Sequence, residues 1–284
     1  MLDENPFALE SAAAPSVSRK QVNGTIIYAE VRGSGPGLLL IGAADEDAEF
    51  YRPVAERIPQ HTVITYDRRG TFRSGRELWP GSSSIHADDA ASLVRSLGFA
   101  QIDVFGGSAG GIVATQLALR HPGLVRRALI FEPGYFHVLE GGDDLLTAVR
   151  QSVQAHLASN PGDWPGAAAT LGRTAAELSD GGRGNFLAPP AGSEWYGARA
   201  DRNAESLIRG DLPLTAEAVD LEALASCDVD IGFSHGDSSL PLFVDITERL
   251  GGVRGDIPDV VRGVGHGVYY SPEAIASYIS DKLG

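Results

Sequence analysis

The chain has 284 residues, 43% hydrophobic and 21% charged, an ordinary globular composition that excludes wholesale disorder. Its 37 acidic and 23 basic residues leave a formal charge of −14, so a phosphate backbone or an anionic bilayer would be repelled, and nucleic acid and membranes are poor partners. The one cysteine, Cys227, excludes an internal disulfide and a cysteine-built metal cluster. No apolar run approaches the roughly 18–20 residues of a membrane helix. The acidic N-terminal stretch lacks the basic-then-apolar order of a signal peptide, and the expectation is a cytoplasmic protein.

Residues 1–16 read as a loose arm. Alternating residues on either side of Asn23-Gly24 predict a hairpin. After the turn at residues 33–37, the apolar run Leu38-Leu39-Leu40-Ile41 suits a strand covered on both faces. Residues 49–58 predict a helix, 62–66 (TVITY) a buried strand and 84–97 a second helix stopped by Gly98. A short strand at 102–105, a helix at 110–120 and a strand at 125–131 follow. This alternation implies a parallel, doubly wound sheet. It breaks between about 135 and 215, where Gly, Pro, Ala and Trp are frequent and helical patterns fall near 143–158, 166–178 and 193–209. It resumes with a strand at 229–233, a helix at 241–250, a strand near 259–264 and a last helix at 271–283, opened by Ser-Pro-Glu. The domain reading is an arm at 1–16, a sheet domain at 17–134 and 216–284, and a helical cap at 135–215.

The sharpest motif is Gly106-Gly107-Ser108-Ala109-Gly110, between a predicted strand and a helix. It fits G-x-S-x-G, in which small neighbours let a strand turn abruptly into a helix and project the serine beside the helix N-terminus, where negative charge is favoured. A Gly-rich turn without chemistry is the bland alternative. A serine hydroxyl needs an adjacent base. Of seven histidines, His61, His86 and His121 read as structural or exposed, and His137 and His156 fall in or near the insert. His266, in Gly263-Val264-Gly265-His266-Gly267 after the last strand, belongs on the carboxyl edge beside the serine. The base needs an orienting carboxylate. Glu132, ending the strand at 125–131 before Pro133-Gly134, is preferred, because a carboxylate buried there demands a partner. Asp237, after the strand at 229–233, is the alternative, with a helix-cap role as its structural reading.

Together these features resemble the α/β-hydrolase superfamily. The likeness also rests on Asp67-Arg68-Arg69-Gly70 followed by Ser74, on Ala118-Leu119-Arg120-His121-Pro122 and on Gly265-His266-Gly267. It implies an eight-stranded, mostly parallel sheet with a helical cap between strands six and seven. Phe131-Glu132-Pro133 and residues 220–224 look similar to zearalenone-lactonase-type hydrolases, which favours Glu132 as the acid. The histidine that the superfamily often carries after strand three is absent from Ile41-Gly42-Ala43-Ala44. The resemblance nevertheless implies an oxyanion hole from the backbone N–H groups of Ala43 and Ala109, with Ala44 as alternative donor. Asp45, Glu46, Asp47 and Glu49 read as a solvated helix start, with selection against anionic substrates as the alternative. Asp67-Arg68-Arg69-Gly70 reads as a structural turn. Trp195 is the cap aromatic expected to bind substrate, with core packing within the cap as the alternative.

The resulting expectation is a serine hydrolase that cleaves an ester or lactone of a small, largely apolar molecule, macrolactones such as zearalenone included, without metal or organic cofactor. Carbon–carbon bond hydrolysis on the same frame is one alternative. A non-catalytic small-ligand receptor is the other.

Overall fold

The computed structural model describes residues 5–9, 12–180 and 186–284. The hairpin forms as expected: β1 (Ser16–Val22) and β2 (Thr25–Arg32) pair antiparallel across Asn23 and Gly24, whose φ values of 43° and 79° are those of a primed turn. The apolar runs become β3 (Gly37–Ile41), β4 (Thr62–Tyr66), β5 (Ile102–Gly107) and β6 (Val125–Phe131), joined by β7 (Asp230–Gly236) and β8 (Asp259–Val261). The eight strands form one sheet in the order β1-β2-β4-β3-β5-β6-β7-β8, antiparallel at β1-β2-β4 and parallel from β4 onward.

Successive side chains of a strand point to opposite faces, so each buried strand feeds two cores. Leu39, Ile41, Val104 and Ile130 pack under α2 (Ser83–Ser96), α3 (Ala109–Arg120) and the helix Pro241–Arg254. Leu38, Leu40, Phe105 and Phe131 face the short α1 (Arg52–Ala55) and the C-terminal helix Pro272–Leu283. Between β6 and β7 the chain leaves the sheet through α4 (Gly142–Ser159), α5 (Trp164–Asp180) and α6 (Glu194–Ser206). Leu146, Val149, Val153, Ala167, Leu171 and Ala175 give α4 and α5 a small core of their own. A π-helical segment, Leu207–Asp211, leads from α6 into α7 (Leu212–Leu214), and α8 (Leu221–Ser226) precedes β7. The helices Pro241–Arg254 and Pro272–Leu283 are α9 and α10.

Three expectations change. The helix predicted over residues 49–58 shrinks to four residues, and the acidic stretch before it is not a solvated helix start. Asp45 and Asp47 are buried, because the cap covers them: Arg199 and Arg202 of α6 hold the Asp47 carboxylate at 2.8 and 2.7 Å. The described part of the arm is docked rather than loose. Phe7 stacks on Tyr196 with ring centroids 5.0 Å apart, and Asn5 Nδ2 donates to Glu49 O at 2.9 Å. Residues 1–4, 10 and 11 of that arm lie outside the described residues.

Candidate active site

The turn from β5 into α3 is built by glycine. A Cβ on Gly106 would lie 2.5 Å from Gly110 O, and one on Gly110 would lie 2.0 Å from Ile41 O. With that close approach available, Ser108 takes φ 53° and ψ −123°, a conformation costly for a residue with a side chain. Its hydroxyl thereby stands at the carboxyl edge of the sheet, at the N-terminus of α3.

His266 Nε2 lies 3.0 Å from Ser108 Oγ, and its Nδ1 lies 2.7 Å from Glu132 Oε2. Glu132 ends β6 with φ 44°, again strained, and its own N–H donates to Ser234 O of β7 at 3.0 Å. The carboxylate is fully buried, and its second oxygen accepts the Gly236 N–H at 2.8 Å. Both oxygens are therefore occupied, which meets the condition for burying a charge. Phe243 of α9 stacks on the imidazole at 3.8 Å between centroids and 18° between planes, and Phe186 meets it edge-on at 5.3 Å. The ring is pinned on two sides and tethered at both nitrogens.

The alternative acid, Asp237, is not part of this array. It is exposed, and its carboxylate accepts the Gly263 N–H at 2.8 Å and the Ser238 hydroxyl at 3.2 Å, tying the end of β7 to the loop that carries His266. Four of the other histidines lie away from this array. His121 and His156 bind Asp88 and Asp163, and His137 Nε2 accepts the Val219 N–H at 3.0 Å. His86 is buried within the first turn of α2, where desolvation, then Arg68 and Arg69, hold it well below the ordinary imidazole range.

The expected oxyanion donors differ from each other. Ala109 is the first residue of α3, where an amide has no intrahelical acceptor. Ala43 N–H, by contrast, donates to Glu46 Oε2 at 2.9 Å, and Ala44 N–H donates to the Asp211 carboxylate. The tight turn that returns Glu46 N to Ala43 O at 3.1 Å swings the acid back over the amide. Tyr51 Oη donates to the same Glu46 oxygen at 3.0 Å. Burial, then the neighbouring Asp45 charge, push the Glu46 carboxyl up to about 8. Asp211 in turn is paired with the buried Arg68, so Asp67-Arg68-Arg69-Gly70 is indeed a packed turn: Arg69 binds Asp89 at 2.8 Å and Asp67 binds Arg73 at 2.7 Å.

A cavity of about 50 Å³ opens directly at Ser108. Phe136, Leu146, Val149, Leu171, Phe186 and Phe243 line most of it, with Asp211 as the one ionisable side chain among the described lining residues. Trp195 is not on this wall. It packs on Phe50 and Tyr196, at 6.4 and 5.1 Å between centroids, with Arg199 over its face at 4.6 Å, because Phe7 of the docked arm and Tyr269 and Tyr270, just before α10, build an aromatic cluster there. The lining residues were missed individually, although Leu146-Val149-Val153 and Leu171-Ala175 carry helical spacing that marks an apolar face.

A family model described as alpha/beta hydrolase fold matches residues 36–178, half of the chain. The chain belongs to the α/β-hydrolase fold family. Within it, 126 residues are 36% identical to the uncharacterized hydrolase YraK of Bacillus subtilis, covering 43% of this chain and 46% of that one. Over 105 residues the chain is 38% identical to a protein of Azorhizobium caulinodans provisionally named carbamate hydrolase RutD, covering 37% and 40%. The chain thus matches less than half the length of these relatives. An α/β hydrolase of Sphaerobacter thermophilus superposes with a TM-score of 0.73 at 22% identity, covering 94% of this chain and all of that one, which places the cap as well as the sheet within this fold. Among the described residues no group of three or more His, Cys, Asp or Glu side chains could hold a metal ion, and no helix is long and apolar enough to cross a membrane.

Proposed function

We propose that this α/β hydrolase is a serine hydrolase that cleaves an ester or lactone of a small, largely apolar molecule, with Ser108 as nucleophile, His266 as base and Glu132 as the orienting acid. The observation that carries the reading is the unbroken relay of 3.0 and 2.7 Å from Ser108 through His266 to Glu132, opening on an apolar cavity. In the reaction, His266 Nε2 takes the hydroxyl proton as Ser108 Oγ bonds to the carbonyl carbon, and Glu132 stabilises the imidazolium. The tetrahedral intermediate collapses by breaking the carbon–oxygen ester bond. His266 returns the proton to the leaving alcohol, and water, activated by the same histidine, frees the acyl group.

The developing oxyanion would rest on the N–H of Ala109. Ala43 N–H is the second donor once that charge displaces the Glu46 oxygen, which below about pH 8 belongs to a neutral acid and competes weakly. A macrolactone such as zearalenone stays within this reading as a member of the ester class. The provisional name of the Azorhizobium relative adds carbamates to the acyl compounds worth testing.

The test is a panel of aryl esters, lactones and aryl carbamates with wild type and Ser108→Ala, together with a fluorophosphonate probe. Turnover and labelling at Ser108, both lost in the variant by about 10⁴-fold or more, are expected. Folded wild-type protein that neither labels nor turns over any member of the panel would leave the receptor reading in its place.

A further inference from the structure

A second chamber, of about 190 Å³, lies between the start of α5, residues 187–189 and α6. It shares Leu187 and Leu207 with the wall of the Ser108 cavity, so the two are neighbours separated by those side chains. Its lining is small and apolar, Ala168, Ala169, Ala188 and Pro189 among it, apart from two carboxylates, Asp45 and Asp201. Among the described residues no lysine or arginine lines it.

Asp45 stands out from the acids around it. Asp47 is neutralised by Arg199 and Arg202, Asp211 by Arg68, and Glu46 is tied to Tyr51 and to the Ala43 amide. Asp45 is only 8% exposed, yet among the described residues its carboxylate is hydrogen-bonded by no more than the amide of its own residue. A carboxylate taken out of water without an ion-pair partner of its own, the nearest cation, Arg68, being held by Asp211, is a net cost to the fold, which a cation entering the chamber would offset. The protein's −14 charge raises the local concentration of cations over anions in the same direction.

We propose that this outer chamber is a subsite for a protonated amine carried by the substrate at some distance from the scissile carbonyl, paired with Asp45. The substrate class is then an amino ester or amino lactone, with an apolar portion at Ser108 and an ammonium group past Leu187 and Leu207. Asp201, on the exposed rim of α6, assists from the other side.

The pairing has a pH signature. The charged groups that face Asp45 are Asp211, Glu46 and Arg68, and the neutral hydroxyls of Tyr51, Tyr269 and Tyr270 lie near it; burial first, then Asp211, push its carboxyl up to about 7, with Arg68 opposing. An ammonium group binds the ionised form, so preference for an amine over its neutral isostere rises between pH 6 and 8. Taking the ratio of the two substrates cancels the titration of the reacting groups they share.

The kinetic arm of the experiment rests on the serine-hydrolase reading. It compares kcat/KM for 4-nitrophenyl 6-aminohexanoate with 4-nitrophenyl heptanoate, and for 6-aminohexyl acetate with heptyl acetate. A preference of about 10-fold for the amine in one pair is expected at pH 8, smaller at pH 6, with most of it lost in Asp45→Asn and about half in Asp201→Asn. The binding arm needs no turnover: calorimetric titration of wild type with hexylamine and with hexan-1-ol, the amine binding about 10-fold more tightly. If no ester is turned over, the hydrolase reading fails while the titration still decides the subsite. Equal binding of amine and alcohol, or an amine preference unchanged in a folded Asp45→Asn protein, overturns the proposal.

Discussion

Strands β6 and β7 are neighbours, and each delivers an acidic residue to the same edge of the sheet. Glu132 leaves β6 with a left-handed backbone, is wholly buried and reaches His266; Asp237 leaves β7 exposed and fastens the Gly263 amide. Both follow the serine and precede the histidine in the chain, so either could complete a relay by order alone. What separates them is the backbone at the strand end. At β6 it turns the side chain inward under the histidine loop. At β7 the Asp237 N–H bonds Val261 O at 3.1 Å, and the carboxylate stays with the outer part of that loop. A buried carboxylate in a strained conformation therefore singles out a candidate position better than its distance along the chain does.

Substitutions on both sides test this contrast. The largest effect is expected from Glu132→Gln, which leaves the shape intact but removes the charge and the proper partner for Nδ1; ester turnover should fall about 10³-fold or more, measured as kcat on a well-folded sample. Asp237→Asn should leave kcat within about twofold and lower the melting temperature through a weakened loop tie of about 1 kcal/mol. A reversed order would transfer the acid role to β7. An intermediate effect is expected at Phe243, which holds the imidazole plane: Phe243→Leu should reduce kcat about 10-fold while KM moves little, as a loss of orientation rather than of binding.

The smallest effect concerns stability alone. Glu46 is raised from 4.5 to about 8 in the fold, so the folded state holds its proton where the unfolded chain has lost it. Its contribution is complete below about pH 4.5 and is lost as pH rises through about 8. Glu46→Gln, which cannot ionise, should therefore gain thermal stability over wild type at pH 9 and little or nothing at pH 5, as read by melting curves at the two pH values.

Much of the frame is legible in the residues themselves. Runs such as Leu38-Leu39-Leu40-Ile41 are apolar on both faces and can only be covered strands. Asn23-Gly24 admits the primed turn, and Gly106, Ser108 and Gly110 together describe a turn that larger residues would block. Local sterics and hydrophobic periodicity act within a few residues, so a linear reading captures them. His266 was also within reach, because its loop follows the last strand and the order of strands places that loop at the serine's edge.

The acids at 45–47 and the aromatics of the cap were not. Whether Asp47 is solvated depends on Arg199 and Arg202, more than 150 positions away. Whether Trp195 faces the pocket or the Phe50–Tyr196 cluster depends on how α6 lies across the sheet. The same holds for Ala43, expected as an oxyanion donor, whose partner, Glu46, emerged only from the path of the turn. By itself the sequence determined the strands, the serine turn and the residue types able to move a proton. The tertiary structure alone decided which carboxylate meets the histidine, which side chains bound the cavity and which acid is left without an ion-pair partner, because burial and charge pairing are set by contacts between segments that the chain order keeps far apart.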